Sequence, residues 1–140
     1  MPIEYLEHTA DIGLRASGTT LEQAFCEAAR GLFSVMVEPV SVEPRRLYVI
    51  RRNAPSLPEL LVEWLSDLLA QKELTGLFFS EFEVSIERTS SGFILVGKAR
   101  GEPLDVHRHR FGTEVKGISY LGLSVRETSG SWIAQCVLDV

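Results

Sequence analysis

No run of eighteen consecutive apolar residues occurs in this 140-residue chain, so no segment has the character of a membrane-spanning helix. Cysteine is scarce. Cys26 and Cys136 both lie inside hydrophobic patterns, too few for a disulfide scaffold, and read as buried free thiols. The three histidines are few for zinc, which takes about three protein ligands in a catalytic site and four in a structural one. Basic residues are outnumbered, 14 Lys and Arg against 19 Asp and Glu, for a net charge of −5. That argues against a broad nucleic-acid surface, because such binding is dominated by phosphate neutralisation; it leaves open contact with a protein that itself binds RNA. The phosphate-cradling pattern GxxxxGK[ST] is missing, and no serine stands in the strand–turn–helix setting of a Ser/His/Asp nucleophile. Internal repeats and low-complexity segments are also absent. The opening MPIEYLEHTAD has no basic stretch followed by an apolar one, which gives the expectation of a cytoplasmic protein.

What is present is a chain of single-domain size, expected as one unit over 1–140, with 45% hydrophobic and 24% charged residues and length enough to hold its own core. IGLRAS alternates Ile12, Leu14 and Ala16 with Gly13, Arg15 and Ser17, the period of a strand. Leu21, Phe25, Ala28, Leu32 and Met36 recur at threes and fours, so the spacing predicts an amphipathic helix over 20–37. Thr19 and Glu22 are placed as its capping box. RRLYVIRR, 45–52, reads as a short strand. A second capping box, Ser56 to Glu59, opens a helix whose Leu57, Leu60, Leu61, Trp64, Leu65, Leu68 and Leu69 form a wide apolar stripe. Four strand-like stretches follow, with turn signals at SSG and TSGS. The expected fold is α+β, two amphipathic helices packed on antiparallel β-sheet, in the order β-β-α-β-α-β-β-β-β, with the first strand around Ile3–Leu6.

Between two of those strands lies GEPLDVHRHRFGTEVKGISY, Gly101 to Tyr120, rich in charge and without hydrophobic period. Connections this long in a compact domain are functional or disordered. Three other features carry potential chemistry. Asp139 ends the last strand beside the α-carboxylate of Val140, and two anionic groups ~4 Å apart cost roughly 4 kcal/mol at an effective dielectric of ~20, so positive charge is expected nearby. Asp11, in EHTAD, stands at the mouth of a strand, where aspartate is ordinarily a turn former. Were it to meet Asp139, three carboxylate groups would converge on oxygen-only chemistry suited to Ca²⁺, Mg²⁺ or Mn²⁺. Lys116, in TEVKG, is a solvated lysine by default and otherwise a cation reaching toward the carboxylates or toward an acidic group of a partner.

Together, EHTADIGLRASG, EPLDVHRHRFGTEVKGISY and the closing VLDV resemble the archease family, with LPELLVEWLSDLL and GLFFSEFEV fitting between them. The resemblance covers nearly the whole chain. It implies a compact α+β domain and a non-catalytic activator of the tRNA-splicing RNA ligase RtcB, touching tRNA only through the ligase. That ligase is manganese-dependent, transfers GMP from GTP to its own histidine, and joins a 3′-phosphate or cyclic phosphate end to a 5′-hydroxyl. Archease promotes the guanylylation and the multiple turnover. An older description makes the family a chaperone-like modulator of tRNA methylation, and the same carboxylates would also suit a small metal-dependent phosphoesterase. Carried over residue by residue, Asp11, Asp139 and the terminal carboxylate of Val140 match the family's metal ligands. The implied ion is divalent: calcium in the isolated protein, magnesium or manganese otherwise. Lys116 matches a lysine implicated in ligase activation, and Glu114 and His109 fall in the same signature. Tyr120 is followed here by Leu121 where the family commonly has histidine, so a histidine at that position is not required in this protein.

Overall fold

The structure, a computed structural model, describes residues 2–8 and 11–140, without the side chains of Glu7 and His8. The middle of EHTAD and the His8 side chain therefore lie outside the described residues. The elements are β1 (Ile3–His8), β2 (Asp11–Gly18), α1 (Leu21–Met36), a 3-10 turn (Pro39–Ser41), β3 (Arg46–Ala54), α2 (Leu57–Thr75), β4 (Leu77–Thr89), β5 (Gly92–Pro103), β6 (Gly117–Thr128) and β7 (Ser131–Asp139), the order that periodicity predicts. One cap differs. Thr20, not Thr19, caps α1, accepting from Gln23 N–H at 3.0 Å. Gln23 Oε1 reaches one residue farther back and accepts the Thr19 N–H at 2.9 Å and the Thr19 hydroxyl at 2.8 Å. Two adjacent threonines offer the same hydroxyl, and with Gln23 holding that of Thr19, Thr20 is left to cap the helix. At α2 the box forms as expected, with Glu59 N–H donating to Ser56 Oγ and Ser56 Oγ–H to Glu59 Oε1.

The strands form two antiparallel sheets, β1-β2-β7-β6 and β3-β5-β4, with the helices between them. α1 packs on β2 and β7 to one side and β4 to the other; α2 packs on β6 to one side and β3 and β5 to the other. A helix with sheet on both faces needs more than one apolar stripe. This is why α2 buries Leu60, Leu61, Val62, Trp64, Leu65, Leu68 and Leu69. Trp64 is wholly buried, and its indole N–H is satisfied by the Phe25 carbonyl at 3.0 Å. Phe33 of α1 meets Phe78, Phe79 and Phe82 of β4 at ring separations of 5.5–6.3 Å, within the range of favourable aromatic pairs.

Successive elements run back and forth, and this decides where the chain's chemistry collects. β2 leads away from Asp11 and α1 returns; β3 leads away and α2 returns; β4 leads away and β5 returns; β6 leads away and β7 returns. One end of the layers therefore gathers the start of β2, the C-terminal ends of α1 and α2, the end of β5, the start of β6 and the end of β7.

Candidate metal centre and the loop that borders it

Residues 104–116 cross that end as an ordered strap. The last carbonyls of an α-helix lack intrahelical partners, and the strap supplies them. Gly112 N–H donates to Met36 O at 2.9 Å and Thr113 N–H to Val35 O at 2.8 Å, while the Arg110 carbonyl accepts from Glu38 N–H. Gly112 is needed for this approach, since a Cβ there would lie 2.2 Å from the Val35 oxygen. Farther along, Leu104 N–H donates to the carbonyl of Gly76, the left-handed C-cap of α2.

A buried carboxylate pins the strap. Glu102, 3% exposed, accepts from Glu43 N–H at 2.8 Å, from the Arg108 guanidinium and from His109 Nε2 at 2.9 Å. Burial works against its ionised form, yet the Glu43 amide, Arg108 and His109 bonds together outweigh it and lower its pKa to about 2. The His109 ring is fully enclosed. Its Nδ1 accepts the Asp105 N–H at 2.9 Å, which puts the proton of the neutral ring on Nε2, where it is donated to Glu102. Both nitrogens are thus occupied. His107 is exposed, with its backbone N–H on Asp105 Oδ1, so HRH does not form a shared metal site. Desolvation pushes the free thiols up, to about 11 for half-buried Cys26 and about 12 for buried Cys136.

The strap ends at the carboxylates. β7 lies between β2 and β6, and Asp139 is the cross-strand partner of Asp11 on one side and of Gly117 on the other. Directly opposed residues of antiparallel strands project to the same face, with Cβ atoms about 5 Å apart. Asp139 Oδ2 sits 3.6 Å from where a Cβ on Gly117 would be, and Lys116 N–H donates to the Asp139 carbonyl at 2.7 Å. Val140 follows, its side chain packed against the core. Among the described residues, neither Asp11 nor Asp139 has a cationic group within 4.0 Å. Nor do three His, Cys, Asp or Glu side chains gather there in a metal-binding group. A cation would therefore need these two side chains together with main-chain oxygen. Opposed, uncompensated, oxygen-only donors at partly exposed positions fit a hard divalent ion and do not fit zinc or copper.

Lys116 and Glu114 are exposed on either side of Val115, which is 1% exposed and anchors the strap. Their residues, with Val115 and Gly117, face Ser66, Leu69, Ala70 and Glu73 of α2 across a groove of about 460 Å³. Asp11, Asp139 and the Lys116 backbone are thus brought together, while Glu114 lines the groove against α2. His109 is not: it is sealed beneath the strap. Sequence reasoning overlooked Glu102 and Arg108. By alternation Glu102 belongs with exposed Lys98 and half-buried Arg100, and only the strap's passage over the end of β5 buries it.

The chain matches the model of the Archease protein family (MTH1598/TM1083) over residues 3–140. It is 39% identical to the protein archease of Methanopyrus kandleri over 140 residues, all of both chains. It is 43% identical to that of Thermococcus gammatolerans over 138 residues, 98% of this chain and 97% of the relative. The solution structure of Methanobacterium thermoautotrophicum protein 1598 superposes with a TM-score of 0.89 at 30% identity, covering 99% of each chain. The crystal structure of an archease, possible chaperone, from Thermotoga maritima gives 0.60 at 19% identity, covering 96% of this chain and 94% of that one, a likeness of fold. With its sequence matched from Ile3 to Val140 and its layered fold shared, this chain belongs to the archease family.

Proposed function

We propose that this protein is a non-catalytic, cytoplasmic activator of the tRNA-splicing RNA ligase RtcB, promoting its guanylylation and repeated turnover. The observation that carries the reading is the register of β7. It sets Asp139 opposite Asp11 and against Gly117, with the Lys116 N–H on the Asp139 carbonyl. Three signature segments distant in sequence thereby share one patch. Asp11, Asp139 and the α-carboxylate of Val140 are the groups that would hold a divalent ion, which when bound supplies positive charge for phosphate chemistry. The chain's own residues do the rest. The strap ties the Lys116 backbone to Asp139, Val115 anchors it, and Glu114 and Lys116 present one charge of each sign to a partner. tRNA is reached through the ligase, in keeping with a net charge of −5.

The test is guanylylation of a purified cognate ligase with and without this protein across a range of Mn²⁺ concentrations. Faster guanylylation with wild type, and less with Asp139→Ala at unchanged fold, is the expected result. Turnover of phosphoesters by the isolated protein would instead mark a metal-dependent phosphoesterase. Indifference to Asp139→Ala would mark a modulator that works without metal, as in the tRNA-methylation reading.

A further inference from the structure

Next to the carboxylates, β6 leaves its partner. Ser119 pairs with Val137 and Ser124 with Gln135, so residues 120–123 of β6 stand opposite the single residue Cys136 of β7. The bulge is pinned. Leu121 N–H donates to Ser119 Oγ at 3.1 Å, Gln135 Nε2 donates to the Gly122 carbonyl at 3.3 Å, and Gly122 takes the left-handed φ of 69° that the turn requires. It lies over the face that carries Asp139. A Cβ at Gly122 would be 3.9 Å from Gln135 Nε2 and 4.0 Å from Val137 Cγ2, and alternation puts both residues on the Asp139 side of β7. What the bulge presents is apolar: Tyr120 is 65% and Leu121 61% exposed. Of the ten exposed large apolar side chains among the described residues, five (Leu104, Val106, Phe111, Tyr120 and Leu121) fall between 104 and 121. Scattered exposed apolar residues need no explanation, but an adjacent pair held outward on a pinned bulge is placed for contact.

Building on the activator reading, we infer that the Tyr120–Leu121 bulge is the apolar anchor by which this protein docks on the ligase, in a pocket whose rim is basic. Charge selects this occupant. Asp11 and Asp139 on the same face, with the α-carboxylate of Val140, carry more negative charge than a bound divalent ion neutralises, which disfavours RNA and an anionic bilayer. A symmetric contact between two copies would press the same carboxylates together. A protein that binds RNA carries basic surface of the matching sign. A bulge held by its own hydrogen bonds loses little freedom on docking, and on an edge strand it blocks the pairing that would make that edge a site for strand addition. Tyrosine is among the side chains that dominate protein–protein contacts.

The experiment titrates the whole protein against purified ligase, reading both affinity and guanylylation. Tyr120→Ser/Leu121→Ser should weaken binding by about tenfold or more, as loss of a central anchor does. The half-stimulating concentration should rise by the same factor, with the plateau at saturation unchanged. Leu121→Lys, one exposed substitution that cannot disturb the core, should weaken binding more than Leu121→Ser, because it meets a basic rim. Leu47→Ser/Val49→Ser, on the exposed side of β3, should leave affinity within about twofold. Equal losses in the β3 control, an unchanged affinity in the bulge variant, or tighter binding by Leu121→Lys would overturn the anchor while leaving the activator reading in place. A wild-type protein that neither binds nor stimulates the ligase would remove the activator reading and the anchor with it. Self-association in sedimentation, or binding to phosphatidylserine vesicles, abolished by the bulge variant would reassign the surface to a second copy or to a membrane.

Discussion

His109 donates from Nε2 to Glu102 Oε2 at 2.9 Å while its Nδ1 accepts the Asp105 N–H at the same distance. The pair joins the end of β5 to the strap that carries Glu114 and Lys116. Removing the acceptor leaves the Glu43 amide and the enclosed His109 Nε2–H without a partner, at about 1–3 kcal/mol for each unsatisfied buried group. Glu102→Ala should therefore cost roughly 2–4 kcal/mol in denaturant unfolding. It should also speed hydrogen exchange at Gly112 and Thr113, whose amides hold the strap to α1. Unaltered exchange at those two positions would mean that the carboxylate does not govern the strap.

The same carboxylate makes an acid-side prediction. Its pKa is about 2 in the fold against an ordinary 4.5. A depressed carboxyl contributes stability that is complete above its unfolded value and fades as pH falls toward its folded one. The difference in stability between wild type and Glu102→Gln should thus be flat above pH 4.5 and shrink between 4.5 and about 2. A difference that stays constant across that window would contradict the assignment.

Asp11 and Asp139, opposed across β2 and β7, should repel each other in the absence of a cation. Like charges directly opposite on antiparallel strands cost roughly 0.2–1 kcal/mol. Asp139→Asn should accordingly raise the thermal midpoint slightly in chelator at low salt, with the gain vanishing at high salt as screening sets in. Added Ca²⁺ or Mn²⁺ should raise the midpoint of wild type and not of the variant, because an ion that binds only the folded state stabilises it by mass action. A variant stabilised by either ion as strongly as wild type would remove these carboxylates from the site.

Gly112→Ala tests the strap from its backbone. The new Cβ would fall 2.2 Å from the Val35 carbonyl oxygen, so the strap must lift from α1. Overpacking of this kind costs roughly 1–3 kcal/mol. Chemical shifts should move at Val35, Met36 and Thr113 while the distant turn joining β4 and β5 stays unchanged. A variant as stable as wild type would show that the strap has room to shift.

Much of this was legible in the chain itself. Element order followed from local signals: the Ser56–Glu59 capping box, two helical periods, and alternation in IGLRAS and FEVSIE. The division into two sheets was not, because alternation states which face of a strand is buried and not which strand is its neighbour. α2 gave a hint in stripe width, with Val62 buried beside the leucines. The meeting of Asp11 with Asp139 was conditional in the sequence and is a fact of register in the fold. Glu102 escaped notice because its burial depends on a loop covering a strand end. Likewise, the β6 bulge leaves no local mark beyond Gly122, since it is defined by counting against β7.

β7 is the last strand and lies in the middle of its sheet, between β2 from the beginning of the chain and β6 just before it. During synthesis, β1 and β2 can pair early, but the residue that faces Asp11 is made only after both helices and the whole of the other sheet. Pairings so remote in sequence are slow to form, since loop closure precedes any compensating contact. The patch proposed to engage the ligase thus forms only when β7 inserts between β2 and β6, after the rest of the layered core has been made.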